Sequence, residues 1–142
     1  MILLDTHVIS EPFKLTGDAG VTTWIDAQII ETLYLSTISL AELRFGIAAL
    51  GPGKRRDTLH ASFEQRILPF DAAASEAYAV LRARTRAQGK DIATADGYIV
   101  ATAIRHGLIV ATRDLSNTAP LQRAMTSQLA TLCVFFTLLG LA

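Results

Sequence analysis

The sequence predicts an α/β fold, a three-layer sandwich in which a central parallel sheet of four or five strands is covered by helices on both faces. Three observations lead there. Short runs such as Ile2-Leu3-Leu4 are apolar at every position, which suits strands buried on two faces. Such runs alternate with longer segments of helical character, the order expected of βαβ units. Gly51-Pro52-Gly53, Gly89 and Gly107 stand where helices should stop.

Taken in order, residues 2–4 form a first strand that ends at Asp5, with Thr6 next. Residues 8–13 start a helix that Pro12 confines to its first turns. Residues 21–30 read as a helix and residues 32–38 as a second strand, rich in β-branched and aromatic side chains. Ser39 then has the look of an N-cap, with Glu42 at capping-box spacing and a helix running to about Leu50. Residues 54–64 are a polar helix, 66–70 a third short strand and 72–88 a long helix. A further helix covers 93–106, and a fourth strand at 108–112 ends at Arg113-Asp114. The apolar segment 129–142 is a final strand or helix over an edge, or a subunit contact. Its 14 residues fall short of the roughly 20 that a membrane-spanning helix needs.

The 142 residues suit one domain, 1–142, with one core. With 51% apolar and 18% charged residues the chain is a globular folder, not a disordered one. Thirteen basic residues balance thirteen acidic ones, so no global basic field announces a nucleic-acid partner, and any such partner must be held locally or through metal. Cys133 stands alone, which excludes an internal disulfide and a cysteine-rich zinc site. His7, His60 and His106 are too scattered for a ligand motif. The N-terminus lacks the pattern of a signal peptide, so a cytoplasmic protein is expected.

The informative feature is where the carboxylates fall. Asp5 and Asp114 follow the first and fourth strands, and in open parallel sheets ligands bind beyond the carboxyl ends of the strands. Asp96 lies near a helix start and shares a helical face with Ile99, Val100 and Ala103. Glu42 shares one with Phe45, Gly46 and Ala49, while Arg44 points nearly the opposite way. An ionised acid on an apolar stripe is costly unless paired or metal-bound. Each acid also has a local reading: Asp5 as a helix cap, Glu42 in a capping box, Asp96 complementing a helix dipole and Asp114 as a turn residue. Taken together, convergent carboxylates without cysteine or paired histidine favour a hard cation, Mg²⁺ or Mn²⁺, and a phosphodiester substrate.

Leu3-Leu4-Asp5-Thr6, Ser39-Leu40-Ala41-Glu42-Leu43, residues 95–103 and Ala111-Thr112-Arg113-Asp114 resemble the PIN-domain pattern in order and spacing. Ile67-Leu68-Pro69-Phe70-Asp71 is similar to the strand before the long middle helix of VapC and FitB-like toxins. The resemblance covers about residues 1–120. It implies an α/β/α sandwich whose core acids, Asp5, Glu42 and Asp96, with Asp114 as a more variable fourth, hold Mg²⁺ or Mn²⁺. Thr6, Thr112 and Asn117 are then expected to orient water or a carboxylate. The resemblance further implies a homodimeric ribonuclease toxin that cleaves RNA, is silenced by a cognate antitoxin and meets operator DNA only through it. Residues 121–142 depart from the pattern: the usual short strand and Asn-Pro-like ending are replaced by an apolar segment in which 131–136 is a candidate substitute strand.

Arg44 and Arg113, near site acids in sequence, are candidates for phosphate contact. Arg82, Arg84 and Arg86 spread around one helix as a solvated face, and Trp24 and Tyr98 read as packing residues. A phosphoacceptor receiver with Asp71 as acceptor is disfavoured, because Asp5 has no acidic neighbour and no lysine follows Lys90. A non-catalytic binding partner of the same fold is the competing reading.

Overall fold

Parallel strands that are apolar at successive positions must be covered from two sides, and they are. The computed structural model describes residues 1–14, 16–49, 66–89 and 91–113. These comprise β1 (Ile2–Leu4), α1 (Thr6–Ile9), a 3₁₀ turn (Glu11–Phe13), α2 (Ala19–Asp26), a 3₁₀ turn (Ile30–Thr32), β2 (Leu33–Ser36), α3 (Thr37–Ala49), β3 (Ile67–Leu68), α4 (Ala72–Ala87), α5 (Thr94–His106) and β4 (Ile109–Ala111). The expected helix at 54–64, Asp114, Asn117, Cys133 and the candidate strand at 131–136 lie outside the described residues.

The sheet order is β3-β2-β1-β4, and every pairing is parallel. Leu3 pairs with Tyr34 on one side and Val110 on the other, while Leu4 pairs with Leu35 and Ala111. Because side chains alternate across a strand, these rows divide between two cores. Leu3 and Val110 pack with Leu81, Ile99, Val100 and Ala103 of α4 and α5. Leu4, Leu35 and Ala111 pack with Val8, Ile9, Val21 and Leu43 of α1, α2 and α3. Trp24 lies against this second core, as a packing residue should. The molecule is thus a three-layer α/β/α sandwich. The chain builds β1, β2 and β3 in one direction, then crosses to the other flank of β1 to add β4. Right-handed crossovers place the helices of the two directions on opposite faces. Among the described residues no helix is long and apolar enough to cross a membrane.

Local chemistry shifts several boundaries from those expected. β3 pairs only at Ile67 and Leu68, since Pro69 has no N–H to continue the ladder. The second strand is shorter than residues 32–38 because Ser36 ends it. The Ser36 Oγ accepts the Ser39 N–H at 2.9 Å, which makes Ser36, not Ser39, the cap of α3. Glu42 is therefore not the second half of a capping box. Asp18 starts α2 two residues early by accepting from Gly20 N and Val21 N. α4 begins at Asp71, whose carboxylate accepts the Ala74 N–H at 2.8 Å. Gly107, at φ 64°, closes α5 in the left-handed conformation that favours glycine.

α4 and α5 meet closely at Gly97. A Cβ there would come within 2.7 Å of the Tyr78 ring, which packs against Tyr98 at a centroid distance of 4.6 Å. Phe70 completes the aromatic group, also 4.6 Å from Tyr98.

A second interaction joins the segment after α1 to the end of β4. Glu11 is buried, with 3% of its surface exposed. Its Oε1 pairs with Lys14 Nζ and with Arg113 Nη1, the latter at 2.8 Å, and its Oε2 accepts the Asp18 N–H at 2.8 Å. Arg113 also reaches Asp18 Oδ2 at 3.1 Å. Burial alone would push the Glu11 carboxyl up, but the bonds from Lys14 and Asp18 and the charges of Lys14 and Arg113 outweigh it and lower it from 4.5 to about 2.

Two outcomes are expected. Gly97→Ala should cost about 1–3 kcal/mol in chemical denaturation through overpacking against Tyr78, and an unchanged midpoint would contradict the close approach. The depressed Glu11 group contributes stability that is complete above 4.5 and lost as pH falls toward about 2. Urea titrations across that window should show a steeper loss for the native chain than for Glu11→Gln, and parallel pH profiles would count against this assignment.

Candidate active site

β1 and β4 are neighbours in register, so the residues that follow them emerge side by side. Leu4 pairs with Ala111, and the Asp5 N–H still donates to the Ala111 carbonyl at 3.0 Å. Asp5 and Thr112 therefore stand together just past the carboxyl edge of the sheet, at the point where the strand order reverses. Such switch points are where open α/β sheets bind ligands.

Asp5 is buried, with 5% exposed, yet its carboxylate is well supplied with donors. It caps α1, and its Oδ1 accepts the Thr6 N–H at 2.6 Å. Its Oδ2 accepts the Thr112 hydroxyl at 2.7 Å, and the His7 Nδ1 lies 3.4 Å from the same oxygen. The helix-cap reading and the site reading of Asp5 are thus compatible, since capping uses one oxygen and leaves lone pairs on both.

Thr6 links two of the acids. Its N–H binds Asp5, and its hydroxyl donates to Glu42 Oε2. Glu42 can be reached because the start of α3 is pinned to the end of β1. Ser36 and Ser39, both fully buried, share a hydrogen bond at 3.0 Å, and the Ser39 hydroxyl donates to the Leu4 carbonyl at 3.4 Å. Ser39 and Leu43 form the inward stripe of α3, four residues apart. Glu42, Phe45, Gly46 and Ala49 all lie on the exposed side, Phe45 with 78% of its surface free. The expected apolar stripe around Glu42 is apolar in composition but is not the face turned to the sheet.

Asp96 lies in the first turn of α5, half-buried, in a helix whose N-cap residue Ala93 offers no side-chain acceptor. Ile99, Val100 and Ala103 on its face are buried as expected. Among the described residues no three or more His, Cys, Asp or Glu side chains lie close enough together to hold a metal ion. What is assembled is the pair Asp5 and Glu42, joined by Thr6 and backed by Thr112. Ionised carboxylates repel one another at close range, and Glu42 satisfies its oxygen on the Thr6 hydroxyl. The donor set offered by Asp5, Glu42, Thr6 and Thr112 is all oxygen, the chemistry that suits a hard divalent cation.

The arginines divide. Arg113, expected as a phosphate contact, is engaged by Glu11 and Asp18. Arg44 is exposed. Arg82 binds the Tyr78 hydroxyl and pairs with Asp91 at 3.9 Å. With Arg86, Gly89 and Asp91 it lines a depression of about 380 Å³ that contains none of the expected site residues. The buried carboxylate of Glu11 escaped the reading from sequence. Its only local sign was Lys14 three residues on, because its other partners are distant in the chain or belong to the backbone.

Residues 2–116 match the PIN domain family model. The chain is similar to a VapC ribonuclease, Y4jK, of Sinorhizobium fredii, at 55% identity over 124 residues that cover 82% of this chain and 89% of the relative. It is similar to toxin FitB of Neisseria gonorrhoeae at 50% identity, covering 80% of this chain and 88% of the relative. Among solved structures, FitAB bound to a DNA fragment superposes with a TM-score of 0.77 at 45% identity, covering 86% of this chain and 91% of that one. FitAcB from Neisseria gonorrhoeae superposes with a TM-score of 0.76 at 47% identity, covering 87% and 93%.

Replacing Thr112 by Val keeps the shape but removes the hydroxyl that donates to the buried Asp5. In metal-free buffer this should cost about 1–3 kcal/mol of stability by chemical denaturation. A native-like midpoint would show that Asp5 does not depend on that donor.

Proposed function

The chain belongs to the PIN-domain family, and on that premise we propose that it is a metal-dependent endoribonuclease acting as the toxin of a toxin–antitoxin pair. The observation that carries the reading is the buried Asp5 at the switch point of the sheet, held by Thr6 and Thr112 and joined through Thr6 to Glu42. A carboxylate oriented at that edge is suited to holding a divalent cation against a phosphodiester.

In this reading Asp5, Glu42, Asp96 and Asp114 hold Mg²⁺ or Mn²⁺. The bound cation would polarise a phosphoryl oxygen and make water a better nucleophile. Asp5 supplies a fixed oxygen ligand, because Thr6 and Thr112 hold it from two sides. Glu42, exposed on α3 and held beside Asp5 by the Thr6 hydroxyl, would be a further oxygen ligand for the cation. Thr6 and Asn117 would orient water or a carboxylate beside the cation. RNA is the substrate. The partners are a cognate antitoxin and a second copy of the chain, with operator DNA contacted only through the antitoxin. The similar FitAB structure, bound to a DNA fragment, supports contact between such a complex and DNA. The compartment is the cytoplasm.

Purified protein with Mg²⁺ or Mn²⁺ should cut single-stranded RNA, and EDTA or Asp5→Ala should abolish cutting. Asp96→Asn should be inactive yet melt no lower than the native chain in metal-free buffer, since it removes a charge from a half-buried position. Cleavage that survives both EDTA and Asp5→Ala in a clean preparation would refute the site. Absence of cleavage by the native chain with either metal would leave the non-catalytic partner as the better account.

A further inference from the structure

Resting on that reading of the site, we propose that Glu11 is a positioning residue for it: through Arg113, Glu11 fixes the exit of β4 and so keeps the Thr112 hydroxyl on Asp5. Thr112 and Arg113 are consecutive. One points its hydroxyl at Asp5 at 2.7 Å, and the other is held by Glu11 at 2.8 Å and Asp18 at 3.1 Å. Asp5 and Glu11 lie at the two ends of α1 with only Ser10 between that helix and Glu11. A closed ring results, running from Asp5 along α1 to Glu11, across the ion pair to Arg113, back one residue to Thr112 and across the hydrogen bond to Asp5. Both non-covalent links in this ring involve a buried carboxylate.

The geometry of Glu11 is over-determined in a way that stability alone does not call for. Its Oε2 accepts the Asp18 N–H at 2.8 Å, which sets the Asp18 carboxylate beside its own and makes a two-acid fork for one guanidinium. The backbone closes around it as well, since a Cβ on Gly17 would fall 2.2 Å from the Glu11 carbonyl oxygen. A buried ion pair gives little net stability compared with a well-packed apolar pair, but it defines position sharply. Here the position defined is that of the residue next to Thr112. Arg113 thus serves the site from behind, through its neighbour, rather than by touching phosphate.

The test is a double-mutant cycle between Glu11→Gln and Thr112→Val, read as kcat, KM and the divalent-ion concentration for half-maximal cleavage of one RNA. Glu11→Gln keeps the size and the acceptor for the Asp18 N–H while weakening the hold on Arg113. It should lower kcat by roughly 10-fold or raise the metal requirement by a similar factor, with KM changed by less than about 2-fold. In the Thr112→Val background the same change should add almost nothing. Arg113→Met, altered from the more exposed end of the pair, should reproduce the effect and supplies the reading if Glu11→Gln does not fold. A merely structural role would lower the melting temperature and the folded fraction while leaving kcat per folded molecule and the metal requirement native. That result, or full additivity with Thr112→Val, would overturn the proposal. Asp5→Ala separates the two levels. If it is inactive while folded Glu11→Gln and Arg113→Met cut as the native chain does, only the positioning role falls. If Asp5→Ala itself cuts, the site reading falls.

Discussion

The structure depends on the parallel pairing of β1 with β4, and on the fact that this pairing stops at Leu4 and Ala111. One residue beyond, the two strands have become Asp5 and Thr112, and the backbone bond from the Asp5 N–H to Ala111 keeps them abreast. Residues that are 107 apart in sequence thereby share a hydrogen bond of 2.7 Å. A slip of one position would turn Leu3 and Leu4 to each other's faces and exchange the contents of the two cores, so the hydrophobic rows enforce the register that builds the site.

Around this pair the chain solves the cost of burying a carboxylate twice, by different means. Asp5 receives the Thr6 N–H and the Thr112 O–H, which orient it without a full opposite charge, with the His7 ring 3.4 Å away. Glu11 receives Lys14 and Arg113, which do cancel its charge and make it a structural anchor. The two acids lie at the two ends of α1 and differ in the charge of their partners.

Much of the plan was legible from local pattern. The apolar run Ile2-Leu3-Leu4 and the stops at Gly89 and Gly107 are set by residues close in sequence, and the strands and helices near them fell close to expectation. The boundaries that moved were those decided by competing local bonds. Ser36 outcompeted Ser39 as the cap of α3, and Pro69 cut β3 to two residues. The place of Asp5, just past the carboxyl end of β1, was legible because strand ends are special in this architecture. The partners of Glu42 were not, because Thr6 is 36 residues away and only the packing of α3 against β1 brings it near.

By itself the sequence determined the kind of layer each segment would join, since helix and strand periodicity are properties of neighbouring residues and burial on two faces is written in composition. Tertiary structure alone decided which face of α3 turns to the sheet, that Arg113 spends its charge on Glu11 and Asp18, and that Thr112 answers Asp5. Those choices depend on side chains meeting across long separations, where the energy of a contact has no counterpart in local spacing.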